Sequence, residues 1–165
     1  MIADRWGVSE DEVTLAFPCD EWIGRASLVA WRGVTVRAPA AEVWPWVLQV
    51  RLAPYSYDWI DNLGRRSPQI LLDLTPPAVG DAFIRAGGKQ MGTVLSVDPP
   101  HQLTGRLAGA VISYVLRATD SSTTRLLMKL ASGVPRPLAP FLSAGDLVMA
   151  RRQLLNWKRL AEGGG

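Results

Sequence analysis

The sequence predicts an α+β protein in which a curved antiparallel sheet packs against one long C-terminal helix. From Gly80 onward, short runs of strand-forming residues are separated by turn signals such as Gly87-Gly88 and Asp120-Ser121-Ser122. Near the C-terminus, apolar residues recur at intervals of three and four, the period of an amphipathic helix. An apolar, helix-like run, Glu42–Gln49, precedes the strand-rich part. Strands that are grouped together and followed by a helix are typical of α+β folds.

The predicted elements before Gly80 are a helix over Glu10–Leu15, a strand over Trp31–Arg37, a helix from Pro39, a helical turn over Tyr57–Leu63 that ends at Gly64, and a helix from Ser67-Pro68 to Pro76-Pro77. The first helix is predicted because Ser9 and Glu12 have the spacing of a capping box. Pro39 suits a first helical position, whereas Pro45 removes a backbone donor inside the helix and should kink it.

The predicted strands after Gly80 are Asp81–Arg85, Met91–Asp98, Gln102–Leu107, Val111–Ala118 and Thr124–Ala131. In the last of these, apolar residues occupy one face, while Arg125 and Lys129 occupy the other. This alternation predicts an antiparallel sheet with one face buried and the other exposed to water.

The C-terminal helix is predicted from one apolar stripe, which consists of Leu147, Ala150, Leu154, Trp157 and Ala161, widened by Val148 and Leu155. Its start stays open between a capping box at Ser143 and Asp146 and an earlier start at Pro137 or Pro140. We expect the stripe to lie on the concave face of the sheet.

Composition limits the classes of function. The chain has 165 residues, 48% apolar and 20% charged, which is most simply one domain, residues 1–165, with an N-terminal arm over residues 1–28. The net charge is only +3, and the one basic cluster, at Arg151, Arg152, Lys158 and Arg159, has the spacing of a solvated helix face. Because a nucleic-acid surface needs a broader basic stripe, no nucleic-acid partner is predicted.

Cysteine usage and hydropathy bear on location. Cys19 is the only cysteine, so no intramolecular disulfide is possible and a reducing compartment fits. The N-terminal residues lack the pattern of a signal peptide. The longest weakly polar run, Leu107–Leu116, is too short to cross a bilayer as a helix. We therefore expect a cytoplasmic protein without membrane insertion.

The candidate site centres on the segment Tyr55–Pro68, which combines aromatic rings, carboxylates, an amide and guanidiniums. That mixture is typical of recognition surfaces. The candidate ligand-binding residues are Trp46, Tyr55, Tyr57, Asp58, Trp59, Asp61, Asn62, Arg65, Tyr114 and Arg151. Among them, Tyr114 shares its strand face with Ile112 and Leu116, which indicates a buried position.

Asp58 and Asp61 allow two interpretations. At a spacing of three on a short helix they share a face, where they can form an acid–base pair or a polar anchor at a cavity entrance. Alternatively, they fix the loop by pairing with Arg65 and Arg66, or by bridging to Arg151 on the terminal helix. Together with Asn62 they offer hard oxygen ligands that suit magnesium with bound waters, and no nearby histidine supports a transition-metal site. Neither a metal nor a cofactor is predicted.

Several motifs resemble one family. Ala38-Pro-Ala-Ala-Glu-Val-Trp44 looks like the segment after the first strand in the START-like superfamily, also labelled SRPBCC or polyketide cyclase/dehydrase. Trp44-Pro-Trp46, the Tyr55–Pro68 segment, and Gly145-Asp-Leu-Val-Met-Ala-Arg151 with Gln153-Leu-Leu155 resemble an actinobacterial branch of it. The resemblance covers nearly everything from Ala30 to Glu162. It implies the helix-grip fold, in which a curved sheet wraps the last helix, short helices follow the first strand, and a hydrophobic cavity lies between sheet and helix.

The leading functional prediction is that a monomer or weak homodimer binds a hydrophobic or aromatic small molecule, lipid or polyketide-like, in that cavity. One alternative is a cyclase or dehydratase that uses Tyr57 and Asp58 as acid and base. Another is a protein-interaction module, as in the cochaperone members of the superfamily. His101 and Cys19 show no nucleophile–base pattern, so no catalytic residue is assigned. Because one fold hosts many activities, the resemblance implies no particular reaction.

Overall fold

Residues 4–135, 137 and 139–163 are described in the computed structural model, apart from the side chains of residues 139–142. This part of the chain contains the strands β1 (Arg5–Trp6), β2 (Leu28–Val36), β3 (Ile84–Ala86), β4 (Lys89–Met91), β5 (Thr93–Asp98), β6 (Gln102–Leu107), β7 (Ala110–Asp120) and β8 (Thr123–Ser132). Six of them form one curved sheet in the order β1-β2-β8-β7-β6-β5, antiparallel except for β1 and β2. β3 and β4 form a separate hairpin. A curved, mostly antiparallel sheet is confirmed, and β6 has the predicted bounds. The strand predicted over Asp81–Arg85 is wrong in extent, because only Ile84–Ala86 is a strand and it lies in the separate hairpin.

The described helices are α1 (Glu10–Val13), α2 (Ala40–Leu48), α3 (Asp58–Asp61) and α4 (Ala139–Ala161), with 3-10 turns at Pro18–Glu21 and Gln49–Arg51. The predicted capping box is present, because Ser9 Oγ accepts from the Glu12 amide at 3.2 Å and the Glu12 carboxylate accepts from the Ser9 amide at 2.9 Å. α2 continues through Pro45, and α4 begins at the earlier of the two predicted starts. No helix among the described residues combines the length and apolar character needed to cross a membrane.

The inner face of the sheet is apolar because alternate residues of a strand point to the same side. The strand register aligns Val34 of β2 with Leu126 of β8, and Leu126 with Leu116 of β7. The helical residues buried in the same core are Val43, Trp44, Trp46, Val47 and Leu48 of α2, and Ala150, Leu154, Trp157 and Leu160 of α4. The C-terminal helix therefore lies on the concave face, as the helix-grip prediction requires.

The buried face of α4 differs from the predicted stripe at several positions, among them Leu160, which is buried but was not predicted to be. Val148, expected to widen the stripe, is 52% exposed, and the polar Gln153 is buried. Gln153 is accommodated because both ends of its amide have partners: its Oε1 accepts from the Tyr114 hydroxyl at 2.8 Å, and its Nε2 donates to the Pro54 carbonyl at 2.6 Å. Hydropathy alone does not reveal such a satisfied buried amide.

The helix predicted from Ser67-Pro68 to Pro76-Pro77 is wrong, because residues 65–77 contain no helix. The Ser67 amide and hydroxyl both donate to the Asp58 carboxylate, at 2.8 and 2.5 Å. The buried Gln49 side chain donates to the Ile70 carbonyl at 3.2 Å and accepts from the Leu72 amide at 2.6 Å. Side-chain hydrogen bonds from other elements therefore replace the backbone bonds of the expected helix.

The described part of the N-terminal arm, residues 4–27, covers the middle of the outer face of the sheet, so the prediction of a wet face is wrong there. Phe17 and Cys19 are buried against Leu127 of β8. Lys129, predicted to be solvated, is only 8% exposed and forms an ion pair with Asp20 at 2.6 Å. The cations on this face therefore bind the arm rather than water.

Further contacts hold the arm to the sheet. Arg125 donates from Nε and Nη2 to the two oxygens of Glu12, each at 2.7 Å, and Nη2 also donates to the Gly7 carbonyl at 2.7 Å. A Cβ on Gly7 would lie 2.2 Å from the carbonyl oxygen of Gly33 on β2. The close approach of arm and strand therefore requires glycine at position 7.

Candidate functional site

A pocket of about 230 Å³, partly open to solvent, lies between α4 and the inner face of the sheet and forms the cavity of the candidate site. Residues from four parts of the fold line it: Pro54, Ser56 and Asp61 around α3; Ile84 and Ala86 of β3; Leu107, Ile112, Tyr114 and Met128 of β6–β8; and Asp146, Met149, Ala150 and Gln153 of α4. Mostly apolar walls with a few polar groups are typical of small-molecule sites.

The cavity occupies only part of the space between helix and sheet, because aromatic rings fill the remainder. Trp157 is fully buried, with its ring centroid 5.2 Å from that of Tyr114 in an edge-on arrangement and 6.1 Å from that of Tyr55. The Phe83 ring lies 6.3 Å from Tyr114 on the other side. The space beside the C-terminal half of α4 is therefore packed, and the cavity lies beside residues 146–153.

The two buried tyrosines are hydrogen-bonded and neutral. Burial raises the pKa of Tyr114 well above its ordinary value, and its hydroxyl donates to Gln153. Burial likewise raises the pKa of Tyr55 to about 12, and its hydroxyl accepts from Gln49 Nε2 at 2.5 Å. Neither phenol is suited to act as a base near neutral pH. Tyr114 forms part of the cavity wall, whereas Tyr55 packs beside Trp157.

A buried ion pair lies at the end of the cavity near the start of α4. Arg32 of β2 is completely buried, and its Nη2 donates to Asp146 Oδ2 at 2.8 Å and to the Ser143 carbonyl at 3.3 Å. Burial raises the pKa of Asp146, although the Arg32 guanidinium opposes the shift. The sequence prediction gave Asp146 a helix-capping role. The structure shows instead that it neutralises a cation in the core.

Asp61 contributes the second carboxyl of the cavity wall. It is the last residue of α3, and its carbonyl accepts from the Gly87 amide at 2.9 Å, which joins α3 to the β3–β4 hairpin. Asp61 Oδ2 accepts from the Ser56 hydroxyl, whereas its buried Oδ1 has no hydrogen-bond partner among the described residues. Burial raises the pKa of this carboxyl, and the Ser56 hydrogen bond opposes the shift. The carboxyl is therefore only half satisfied.

Of the ten predicted site residues, the cavity brings together Asp61 and Tyr114. A separate surface cleft of about 340 Å³ contains Tyr57, Asp58 and Trp59, where they meet Arg152 and other polar side chains. Arg152 lies 5.9 Å from the centre of the Tyr57 ring, and Trp59 is 75% exposed. The Asp58 carboxylate is already occupied by Ser67. A role for these residues in ligand binding stays a prediction.

The remaining candidates have structural contacts. Trp46 and Tyr55 are buried in the core, and Asn62 is buried and donates to the Arg65 carbonyl at 2.6 Å. The Arg151 guanidinium lies 5.4 Å from the centre of the Trp6 ring.

The ion pairs proposed for Asp58 and Asp61 are not found. In the described structure neither carboxylate forms an ion pair with Arg65, Arg66 or Arg151. The loop is fixed instead by the hydrogen bonds of serines.

Sequence reasoning missed several wall residues, including Ser56, Ile84, Met149 and Gln153. One signal was present on α4, where Asp146, Met149, Ala150 and Gln153 recur at helical spacing on one face. A second signal concerns the ion pair behind the wall, because Arg32 is a charged residue that shares its strand face with the buried Ala30 and Val34 of β2. No group of three or more His, Cys, Asp or Glu side chains among the described residues is placed to hold a metal.

Comparison with known proteins gives a similarity of fold. No protein-family model matches the chain, and no curated protein matches its sequence. Protein MLL2253 from Mesorhizobium loti is 19% identical, with a TM-score of 0.58 over 83% of this chain and 98% of that one. Protein Ms6760 from Mycobacterium smegmatis is 15% identical, with a TM-score of 0.54 over 84% of this chain and 94% of that one.

A third similar structure is DynU16, a protein from the dynemicin biosynthetic locus. It is 22% identical, with a TM-score of 0.50 over 82% of this chain and 48% of that one. These similarities are consistent with the polyketide cyclase-like fold that the sequence motifs resemble. At such identities they show the fold alone, and membership of the superfamily stays a prediction.

Proposed function

We propose that this protein binds a small hydrophobic or aromatic molecule in the cavity between α4 and the sheet. The cavity itself carries the proposal, because an interior that packs Trp157, Tyr55 and Tyr114 closely nevertheless leaves about 230 Å³ of space beside them. Small-molecule sites are concave and mostly apolar, with a few polar groups that fix the orientation of the ligand. A mostly apolar space of this size fits a ligand site.

The size of the cavity limits the ligand. Drug-sized ligands occupy pockets of about 300–1,000 Å³, and this cavity has about 230 Å³. A molecule of one or two rings fits better than a long-chain lipid or a multi-ring polyketide. Most of its affinity would come from burial of apolar area, at about 25 cal/mol per Å².

The catalytic alternative receives less support from the geometry. Tyr57 and Asp58, its acid and base candidates, lie in the surface cleft and are absent from the cavity wall. The interaction-module alternative has one observation in its favour, because Trp59, Leu63 and Ile70 expose 75, 72 and 67% of their surface. If these side chains form one contiguous patch, it would be a mark of a protein contact.

Filling the cavity tests the proposal. Ala150 of α4 is buried in the cavity wall, so Ala150→Leu places three extra carbons in the space. Calorimetry and thermal unfolding with a panel of one- and two-ring aromatic compounds should show binding to the wild type, because a ligand of the folded state raises its Tm. The substitution should abolish that binding and leave the protein folded.

Ala144→Leu is the matched control, because Ala144 lies on the exposed face of the same helix. It should bind the same compounds as the wild type. Binding that persists in Ala150→Leu would place the site elsewhere. A wild type that binds none of the panel would count against the function itself.

A further inference from the structure

The charge balance of the cavity wall constrains the ligand further. Two carboxyls, those of Asp61 and Asp146, line the cavity, and none of the described residues in the wall is Lys, Arg or His. Arg32 stands behind Asp146 and donates to it at 2.8 Å, so that charge is already compensated. No described cation forms an ion pair with Asp61.

Asp61 therefore differs from the other polar groups of the wall. Tyr114 and Gln153 satisfy each other, and Gln153 also reaches the Pro54 carbonyl. The Asp61 carboxyl receives one hydrogen bond, from Ser56, while Oδ1 is buried without a partner among the described residues. Oδ1 is not exposed to the cavity, so a donor of a bound molecule would meet this carboxyl at Oδ2 or after a turn of the carboxyl, and would there compensate a charge that no cation of the wall offsets.

The same carboxyl disfavours an acidic ligand. A carboxylate placed beside Asp61 would meet a like charge, and no free cation of the wall would offset the repulsion. A hydroxyl or an amine is favoured instead, because each can donate a hydrogen bond to the Asp61 carboxylate. An ammonium group adds attraction between opposite charges.

We propose that Asp61 recognises the polar end of the ligand, and that the ligand is a small apolar molecule with a hydroxyl or amine donor and no acidic group. This inference rests on the proposed function and names the ligand class of the same cavity. It excludes fatty acids and aromatic acids as ligands. Burial, which raises the pKa of Asp61, agrees with a carboxyl that lacks a compensating partner.

Four probes on one bicyclic skeleton test the inference: indane, 2-indanol, 2-aminoindane and indane-2-carboxylate. Calorimetry at neutral pH gives the affinity of each probe relative to that of indane. For the alcohol and the amine, this ratio should be about tenfold higher in the wild type than in a variant without the carboxyl. The acid should bind the wild type more weakly than indane. The probes differ in their solvation in water, but this difference is the same for every protein, so it cancels when the affinity ratios of the wild type and the variant are compared.

Two substitutions separate charge from hydrogen bonding. In Asp61→Ala, 2-indanol and 2-aminoindane should lose their advantage in affinity over indane. The affinity of indane-2-carboxylate relative to indane should rise. Asp61→Asn keeps an acceptor but no charge, so it should keep the advantage of 2-indanol and lose that of 2-aminoindane. Asp73→Ala, at an exposed aspartate outside the cavity wall, is the control and should reproduce the wild-type ranking.

The outcomes distinguish the two proposals. If 2-indanol and 2-aminoindane have the same advantage over indane in Asp61→Ala as in the wild type, the inference is overturned. Binding of indane itself would in that case leave the proposed function intact. Failure of all four probes to bind would count against the proposed function. If Asp61→Ala does not fold, the wild type decides alone, because indane-2-carboxylate binding as tightly as 2-indanol would also overturn the inference.

Discussion

At the scale of single residues, the interior of this protein is organised by a few buried polar side chains. Arg32, Gln49 and Gln153 are nearly or completely buried, and each reaches partners far away in sequence. Arg32 joins β2 to α4, and Gln153 joins α4 to the loop after α2. Each therefore fixes the position of one element relative to another, which apolar contacts alone do less specifically.

The Arg32–Asp146 pair gives the sharpest prediction at this scale. Arg32→Met should lower the free energy of unfolding by about 3–5 kcal/mol, because it leaves the Asp146 carboxylate buried without its cation. Urea denaturation at neutral pH measures the loss. The deficit should shrink at acidic pH, because a protonated carboxyl carries no charge to compensate.

The double variant Arg32→Met/Asp146→Leu provides the control. Replacing both charges with apolar groups removes the unpaired ion, so most of the lost stability should return. A double variant as unstable as Arg32→Met alone would mean that packing around Arg32, not charge, accounts for the loss.

At the scale of elements, the sequence predicted what depends on local pattern. The strands β5–β8, the capping box at Ser9 and the burial of Tyr114 follow from periodicity and turn residues, and all were found. The helix from Ser67-Pro68 was wrong because Gln49 and Asp58 hold that segment through bonds that no local pattern encodes. The position of the arm and the composition of the cavity wall also depend on contacts between residues far apart in sequence, which local patterns do not predict.

The arm could be predicted as a segment but not as a cover for the sheet. Arg125 and Lys129 alternate with apolar residues, which is also the pattern of a solvent-exposed face. Their partners Glu12 and Asp20 lie more than a hundred residues earlier in the chain. The cavity wall has the same origin, since Ser56, Ile84 and Met149 become neighbours only when the hairpin, α3 and α4 assemble.

The attachment of the arm should depend on pH through Glu12. Its carboxylate receives two hydrogen bonds from Arg125, which hold its pKa below the ordinary value of 4.5. A lowered pKa means that the stabilisation is complete above that ordinary value and is lost as the pH falls through the folded-state pKa. Glu12→Gln should cost about 1 kcal/mol at neutral pH, because the pair is still partly exposed.

Hydrogen exchange and denaturation together measure this effect. Amides of the arm should exchange faster in Glu12→Gln, and the stability difference from the wild type should vanish in strong acid. Glu10→Gln is the control, because the Glu10 side chain is 85% exposed in its pair with Arg5 and should contribute little. Equal effects of the two substitutions would contradict a specific role for Glu12.

At the scale of the whole molecule, the interior between sheet and helix is shared between packed rings and open space. Trp157 packs beside Tyr55 and Tyr114 and occupies the part of the interior that the cavity does not. The size of the cavity therefore depends on one side chain of α4 as well as on the curvature of the sheet. The same fold with a smaller residue at this position would enclose a larger cavity.

Trp157→Ala should convert packed interior into cavity. The expected loss is about 3–5 kcal/mol of unfolding free energy, because the substitution removes buried ring contacts and the surroundings relax only partly. Naphthalene-sized and larger aromatic compounds that bind the wild type weakly should bind the variant more tightly and recover part of its Tm. Trp157→Leu is the milder version if the alanine variant does not fold, and Trp22→Ala, on a ring that is 42% exposed, controls for loss of an indole. A variant that loses little stability and gains no larger ligands would show that α4 settles onto the sheet and closes the space, so that the curvature of the sheet, and not Trp157, sets the volume of the site.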